Sequence, residues 1–378
     1  MSYNLRIYTA QKQNLKESLQ LFNAEMINDS FVIQFKNHQI VINGEILVED
    51  EDIPPELSSE IPGIKYLIEC NLEPITCDEK LIKQVLKICK VIAKNGIGII
   101  ENPQTDEIIK PSGIKRVMKV EKTERIALLE LSWWFNHENL LENDNMNVLL
   151  SEICRILPEA LPRRYGLYEP PQEQFSTFDS FKDYLKKNIR DSIVWYPSRP
   201  VMDVNLRIPA VIGPTKSGYR FGHFSISIDA SVMAMPGWKT LIRRLFKSVS
   251  EVLCPFYGDV YVLENYIYSR RFPYSDYLTE YHPISSWWWN GIPREFGLGM
   301  VIGNPLLNHV NIKGESIELK NGCKLISRIE DEKCNKLSVE DIEVPENLFQ
   351  APKRSKVISI GFNGVYPKLW PFIGPFDR

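Results

Sequence analysis

Apolar residues recur at two periods along this chain, and the switches between them mark out its elements. Residues 3–9 alternate apolar and polar, as a half-buried strand does. Residues 13–26 carry Leu15, Leu19, Leu21 and Phe22 at helical spacing and predict a helix. Residues 31–35 and 39–42 read as strands. Asn43-Gly44 has the chemistry of a two-residue hairpin turn into a strand at 45–48. After a strand at 64–70, Asp78 is a suitable N-cap. Leu81, Ile82, Val85, Leu86, Cys89, Ile92 and Ala93 then form an amphipathic stripe over a helix at 79–94. Asn95-Gly96 should end that helix in a left-handed C-cap, and strands follow at 97–100 and 107–109.

The second half begins with a strand at 126–134 and a helix at 145–157, which stops before Pro158. A short helix at 178–187 and strands at 193–195 and 204–208 lead into the central stretch, residues 219–303. There a strand at 219–228 precedes a helix at 237–253 whose buried stripe includes Trp238, Leu241, Ile242, Leu245, Phe246 and Val249. A turn at Tyr257-Gly258 gives a strand at 259–263. A hairpin turning at Asn321-Gly322 and a strand at 357–360 follow, and the Pro- and aromatic-rich segment 366–376 should run extended. Strand, helix, turn and strand thus recur at 64–100 and 219–263, with a partial version at 126–168. This predicts an α+β protein of two α/β-sandwich domains, with mainly antiparallel sheets, helices on one face and ferredoxin-like split β-α-β units. Pro111-Ser-Gly113 and the charged run 119–125 place the boundary, giving domains 1–118 and 119–378.

Composition adds little to this. Of 378 residues, 44% are hydrophobic and 25% charged, as in ordinary globular proteins, and the net charge of −3 demands neither nucleic acid nor an anionic membrane. The charge is uneven. Residues 1–125 hold 16 Lys+Arg against 19 Asp+Glu, whereas 163–271 hold 16 against 10. Arg243, Arg244, Arg270 and Arg271 are therefore candidate anion-binding residues. Cys89, Cys154 and Cys254 fall in apolar helix patterns and read as core thiols. The N-terminus lacks a signal-peptide profile and no apolar run can span a bilayer, so the expected location is the cytoplasm.

Catalytic fingerprints are missing. The five histidines have no ligand spacing, so no metal site is expected. Gly213-Pro-Thr-Lys-Ser-Gly218 has the residues of a phosphate loop in the wrong order. There is no Gly-x-Ser-x-Gly elbow, and no cofactor or catalytic residue is assigned. Three features stand out instead. The loop Pro162-Arg-Arg-Tyr-Gly-Leu-Tyr-Glu-Pro-Pro171 offers Arg163, Arg164, Tyr165, Tyr168 and Glu169 as interface residues, or else clamps its own domain. Trp287, Trp288, Trp289 and Arg294 sit in Trp287-Trp-Trp-Asn-Gly-Ile-Pro-Arg294. Three successive tryptophans in an extended chain cannot all face one core, so this run is either a binding wall or interdomain packing. The third is the basic face of the helix at 237–253, otherwise a solvated side.

Leu161-Pro-Arg-Arg-Tyr-Gly166, Met235-Pro-Gly-Trp238, Phe256-Tyr-Gly-Asp259, Trp289-Asn-Gly-Ile-Pro293 and Gly303-Asn-Pro305 are similar to motifs of bacterial polymorphic-toxin immunity proteins. The resemblance is to the immunity protein 52 type and related uncharacterised α+β proteins, over residues 126–310 or thereabouts. It implies a cytoplasmic protein that binds and blocks a cognate toxin, and it supplies no catalytic residues. The expected function is therefore a non-enzymatic protein-binding factor, an immunity protein or a component of a bacterial conflict or antiphage system. The alternatives are a nucleic-acid- or nucleotide-binding defence protein and an enzyme assembled from scattered residues, with Glu169, Asp229 and His223 the first to inspect.

Overall fold

The computed structural model describes residues 3–349 except 36, 75–77, 118–122, 142–143, 189–192, 208–220, 270–271, 285–288, 290 and 334. The chain divides into two compact units, Met1–Lys122 and Thr123–Arg378. It is an α+β protein with two large, antiparallel sheets.

The first unit runs β1 (Tyr3–Thr9), α1 (Leu15–Leu19), β2 (Glu25–Ile27), β3 (Ser30–Gln34), β4 (Gln39–Ile42), β5 (Ile46–Leu47), α2 (Pro55–Glu60), β6 (Tyr66–Glu73), α3 (Glu79–Asn95), β7 (Gly98–Asn102), β8 (Glu107–Ile109) and β9 (Lys115–Val117). The sheet order is β2-β3-β4-β6-β1-β7-β8-β9, with β5 also on β6. β1 pairs antiparallel with both β6 and β7, which α3 joins, and this is a split β-α-β unit. Val85, Ile88, Cys89 and Ile92 of α3 pack on Leu5, Ile7, Ile68 and Ile100. The opposite face packs Tyr8, Leu67 and Ile99 under Leu57 of α2.

Three local expectations fail here. The predicted helix at 13–26 stops early. A helical turn, Gln20–Phe22, ends at Asn23 in the left-handed conformation, and β2 begins at Glu25. Asn43-Gly44 is no hairpin turn. β4 and β5 both pair with β6, so this dipeptide interrupts a single edge. The tight turn lies at Asn28-Asp29, both at positive φ, between β2 and β3. Gly96 has φ −93°, and Ile97 takes the left-handed position instead. Gly96 is required for space, because a Cβ there would lie 2.7 Å from Thr9 Cγ2.

The second unit runs β10 (Glu124–Phe135), α4 (His137–Leu141), α5 (Asn145–Ile156), β11 (Arg164–Gly166), β12 (Glu173–Gln174), α6 (Phe178–Lys187), β13 (Ile193–Tyr196), β14 (Val201–Arg207), β15 (Gly222–Asp229), α7 (Trp238–Leu253), β16 (Tyr257–Ser269), β17 (Phe272–Tyr274), β18 (Gly299–Ile302), β19 (Asn311–Ile312), β20 (Ile317–Glu318), β21 (Lys324–Ser327) and β22 (Ile342–Glu343). The large sheet is ordered β12-β11-β13-β14-β15-β10-β16-β18-β21-β20, with β17 on β16, while β19 and β22 pair apart. The split unit recurs, since β10 lies between β15 and β16 and α7 connects those two. Leu129, Leu131, Trp133 and Phe135 of β10 face the helices with Phe224, Ile226, Ile242, Leu245, Phe246 and Val249. Trp133 lies 5.6 Å from the Phe224 ring and 5.3 Å from Phe246, and its Nε1 donates to Ser250 Oγ at 2.9 Å. Residues 357–360 and 366–376, expected as strand and extended tail, lie outside the described residues.

Gly258 stands where β16 crosses this core. A Cβ there would lie 2.8 Å from the Ser132 carbonyl oxygen and 3.0 Å from the Trp133 ring. Backbone cannot yield to it, so Gly258→Ala should cost about 1–3 kcal/mol, the usual range for overpacking. Urea unfolding of the two proteins measures this as a lower midpoint with an unchanged slope.

Candidate functional site

Strand alternation decides what lies on the face of the second sheet turned away from the helices. With Leu129, Leu131 and Trp133 directed to the helices, Glu130, Ser132 and Trp134 take the other side. By the same alternation β14 contributes Asp203, Asn205 and Arg207 and β15 contributes His223, Ser225 and Ser227. β16 contributes Tyr257, Asp259 and Tyr261. Register sets them in rows. Asp203, Ser227, Glu130 and Tyr261 form one, and Asn205, Ser225, Ser132 and Asp259 the next. Arg207, His223, Trp134 and Tyr257 form the third. Adjacent strands are about 4.8 Å apart. Four strands therefore carry a lane of polar side chains across the sheet.

The lane's Asp259 end is organised by a buried ion pair. Asp259 is 0% exposed, and its Oδ1 lies 2.9 Å from Nε2 of His282. Burial alone would lower the imidazole pKa, but the Asp259 carboxylate outweighs it and raises His282 to about 9. The imidazolium then donates from Nδ1 to the Ile284 carbonyl at 3.0 Å. It is enclosed by Trp134, with ring centroids 5.4 Å apart, and by Tyr261 at 4.9 Å. Its neighbour His223, 3% exposed, is pushed well below its usual pKa by burial, then by His282 and Arg207. His223 Nδ1, Asn205 Oδ1 and Asp259 Oδ2 are buried and meet no hydrogen-bond partner.

The Asp203 end is acidic. Desolvation raises the Glu130 carboxyl, although His282 and the Ser132 hydroxyl, 3.0 Å away, oppose it. Desolvation, then Glu130 and Glu169, push Asp203 up to about 6. Desolvation also raises the Tyr266 phenol, which stands in the fields of Glu130 and Tyr281. Beyond Tyr266 the segment 274–281 is exposed: Tyr274 47%, Tyr277 87%, Leu278 49% and Tyr281 44%. It is nonetheless pinned. Arg125 Nη2 meets Asp276 Oδ2 at 2.7 Å, holding that carboxyl down to about 2. Thr279 Oγ1 donates to the Asn265 carbonyl at 3.1 Å.

The sequence-derived candidates scatter. Arg164 is 2% exposed and donates to the Pro171 carbonyl, and Tyr165 is 4% exposed, 4.7 Å from the Phe181 ring. Trp289, 1% exposed, packs against Phe256 and Tyr257. These three were expected at a partner surface, and burial assigns them to the core. Arg163 is exposed, with its Nε on the Pro197 carbonyl at 3.2 Å, and Tyr168 is 53% exposed. Glu169 is exposed and its field reaches Asp203. Arg294 pairs with Glu346 at 2.6 Å and lies over Phe349. Trp287, Trp288, Arg270 and Arg271 lie outside the described residues.

The basic face of α7 is largely engaged. Arg243 pairs with Glu330, Lys239 donates to the Asp331 carbonyl at 2.9 Å, and exposed Arg244 stands in the field of Glu152. Of the enzyme candidates, His223 is in the lane, whereas Asp229 caps the helical turn at Ala230–Ala234. No cluster among the described residues could hold a metal ion. Cys254, expected in the core, is exposed at the end of α7. It lines a cavity of about 160 Å³ with Cys323, whose thiol lowers that of Cys254 to about 7.

Sequence reasoning missed Asp203, Glu130, Asp259 and His282. For the first three the available signal was polar residues at alternate positions of their strands, whose apolar half alone was read; His282 lies outside any strand and carried no such signal.

No family model matches the chain, and no curated protein does. A solved structure titled an unknown protein from Galdieria sulphuraria aligns at 8% identity over 70% of this chain and 99% of its own. Its TM-score of 0.17 is too low to argue from. No helix among the described residues is long and apolar enough to cross a membrane.

His282 has a folded pKa above its unfolded value, so its stabilisation is complete below about pH 6.5 and disappears as pH rises through about 9. His282→Gln leaves Asp259 buried without a cation and should cost about 3–5 kcal/mol at neutral pH. Thermal melts across alkaline pH should show the two proteins converging, because wild type loses this contribution and the variant has none to lose.

Proposed function

We propose that the chain is a non-enzymatic protein-binding factor, of the kind that neutralises a bacterial toxin or serves in a bacterial conflict or antiphage system. The segment 274–281 carries this reading. Tyr274, Tyr277, Leu278 and Tyr281 are exposed on a backbone already held by Arg125–Asp276 and Thr279. Tyrosine supplies large amphipathic contact area with little side-chain entropy to lose, and such residues dominate binding energy at interfaces. Pinning the segment before binding lowers the ordering cost further. The toxin-blocking assignment itself rests on the motifs similar to immunity proteins. A nucleic-acid partner is the weaker alternative, because Arg243 and Lys239 of α7 are engaged within the chain.

A second reading, an enzyme, is favoured by Asp203. A carboxyl raised to about 6 suits proton transfer near neutral pH.

Affinity capture of the tagged chain from its native cells, with mass spectrometry, should return one stoichiometric protein that survives moderate salt. Tyr277→Ala should then weaken the purified pair by about 10-fold or more, as loss of an aromatic anchor does. Recovery of nucleic acid that dissociates as salt rises, or of no macromolecule at all, counts against the proposal.

A further inference from the structure

We propose that the Asp203 end of the lane receives an arginine side chain carried by a protein partner, with Asp203 and Glu130 as its acceptors. The inference rests on the binding role above and specifies the chemistry of the partner.

Asp203 and Glu130 share a row of the sheet, with Ser227 between them. Their Cα atoms are two strand spacings apart, about 9–10 Å. Both side chains project from the same face, and the charged groups that act on Asp203 are the carboxylates of Glu130 and Glu169. The chain's own Arg199 is spent elsewhere, over the Tyr268 ring at 4.1 Å and on the Met202 sulfur. Ser227 is 8% exposed, and its hydroxyl makes no hydrogen bond among the described residues. This is a nearly buried hydroxyl in the row between two carboxylates. Glu130 accepts from Ser132 and stands in the field of His282, but among the described residues no ion pair joins Asp203 or Glu130 to a cation.

Such an arrangement is costly in the free protein, because like charges repel and desolvation penalises both. A cation relieves both at once, whereas a neutral donor offsets part of the desolvation and leaves the repulsion in place. A guanidinium suits the place better than an ammonium. It is planar and donates along two edges, so one group can serve both carboxylates, and its weak hydration lowers the cost of entry. Tyr266, beside Glu130, and Tyr281, beside Tyr266, supply aromatic faces of the kind on which guanidinium stacks. A protein-borne arginine is favoured over a free one because this end of the lane borders the exposed segment 274–281. A partner seated on Tyr277 and Tyr281 brings its side chains to the mouth of the site.

The test needs no identified partner. Amide resonances of the labelled full chain are followed while N-acetyl-arginine methylamide is added, with the neutral citrulline analogue as control. The arginine probe should move Ser227 and its neighbours in a saturable way, and the citrulline probe should not. Asp203→Asn should weaken the arginine response by about 10-fold or more, the usual effect of losing a charge-assisted bond. It should also melt no lower than wild type, since it removes a crowded charge rather than a contact. Glu130→Gln should weaken the response in the same direction. Equal responses to the two probes, or an arginine response unchanged in Asp203→Asn, would overturn the inference. Failure here is separable from failure of the binding role. If Tyr277→Ala weakens a captured protein while Asp203→Asn leaves it bound, the binding role stands and the arginine site falls.

Discussion

Pairing on both edges of β10 is the constraint on which the second unit depends. β15 and β16 each run antiparallel to it through most of its length, and α7 joins them across it. A strand held this way cannot slip by one residue, because the slip would turn Leu129, Leu131 and Trp133 away from the helices and Glu130 and Ser132 into the core. Large aromatic and aliphatic side chains packed with α4, α5, α6 and α7 lock one parity, since each buried side chain of this size contributes about 1.5–3 kcal/mol. The opposite parity is thereby assigned without any interaction of its own, and the polar lane exists because the apolar face is satisfied.

That order of cause explains why the lane can hold groups that stability alone would remove. Buried His223 Nδ1, Asn205 Oδ1 and Asp259 Oδ2 lack hydrogen-bond partners, at about 1–3 kcal/mol each. Asp203 is crowded by two carboxylates. Only the Asp259–His282 pair is closed on itself, with the carboxylate fully buried and the imidazolium held between aromatic rings. Charge is thus balanced at the Asp259 end, where His282 meets the carboxylate, and not at the Asp203 end. An imbalance that persists beside a well-packed core marks the Asp203 end as the part shaped by something other than folding.

Much of the fold was legible in the sequence. The stripes at 79–94, 145–157, 178–187 and 237–253 lie within one residue of helices in the structure, because each apolar face has a sheet to cover. Both split β-α-β units were legible from the recurrence of strand, helix and strand. The failures have local causes. Asn43-Gly44 has hairpin chemistry, but the long strand β6 offers a continuous edge that β4 and β5 share. Gly96 resembles a C-cap and is instead a close approach to Thr9. The site was harder to see. Its residues come from strands far apart in sequence, and only the register brings Asp203, Ser227 and Glu130 into line. Arg164, Tyr165 and Trp289 drew notice for their chemistry, yet side chains of this size are also what a core can use.

The lane's groups are mounted on backbone, and this bears on how such a protein can change. Their spacing is set by the sheet itself, about 4.8 Å across the strands and twice the 3.4 Å rise along them. Substitution can alter which group stands at a given point of that grid but not the grid. The exposed positions around it, such as Tyr277 and Leu278 and the loop bearing Glu169, are off that grid and can exchange residues while Asp276 keeps its pair with Arg125 of β10. In the proposed binding role, a lineage would follow a drifting partner by rewriting the walls while leaving the floor intact, and recognition would evolve faster than the fold that supports it.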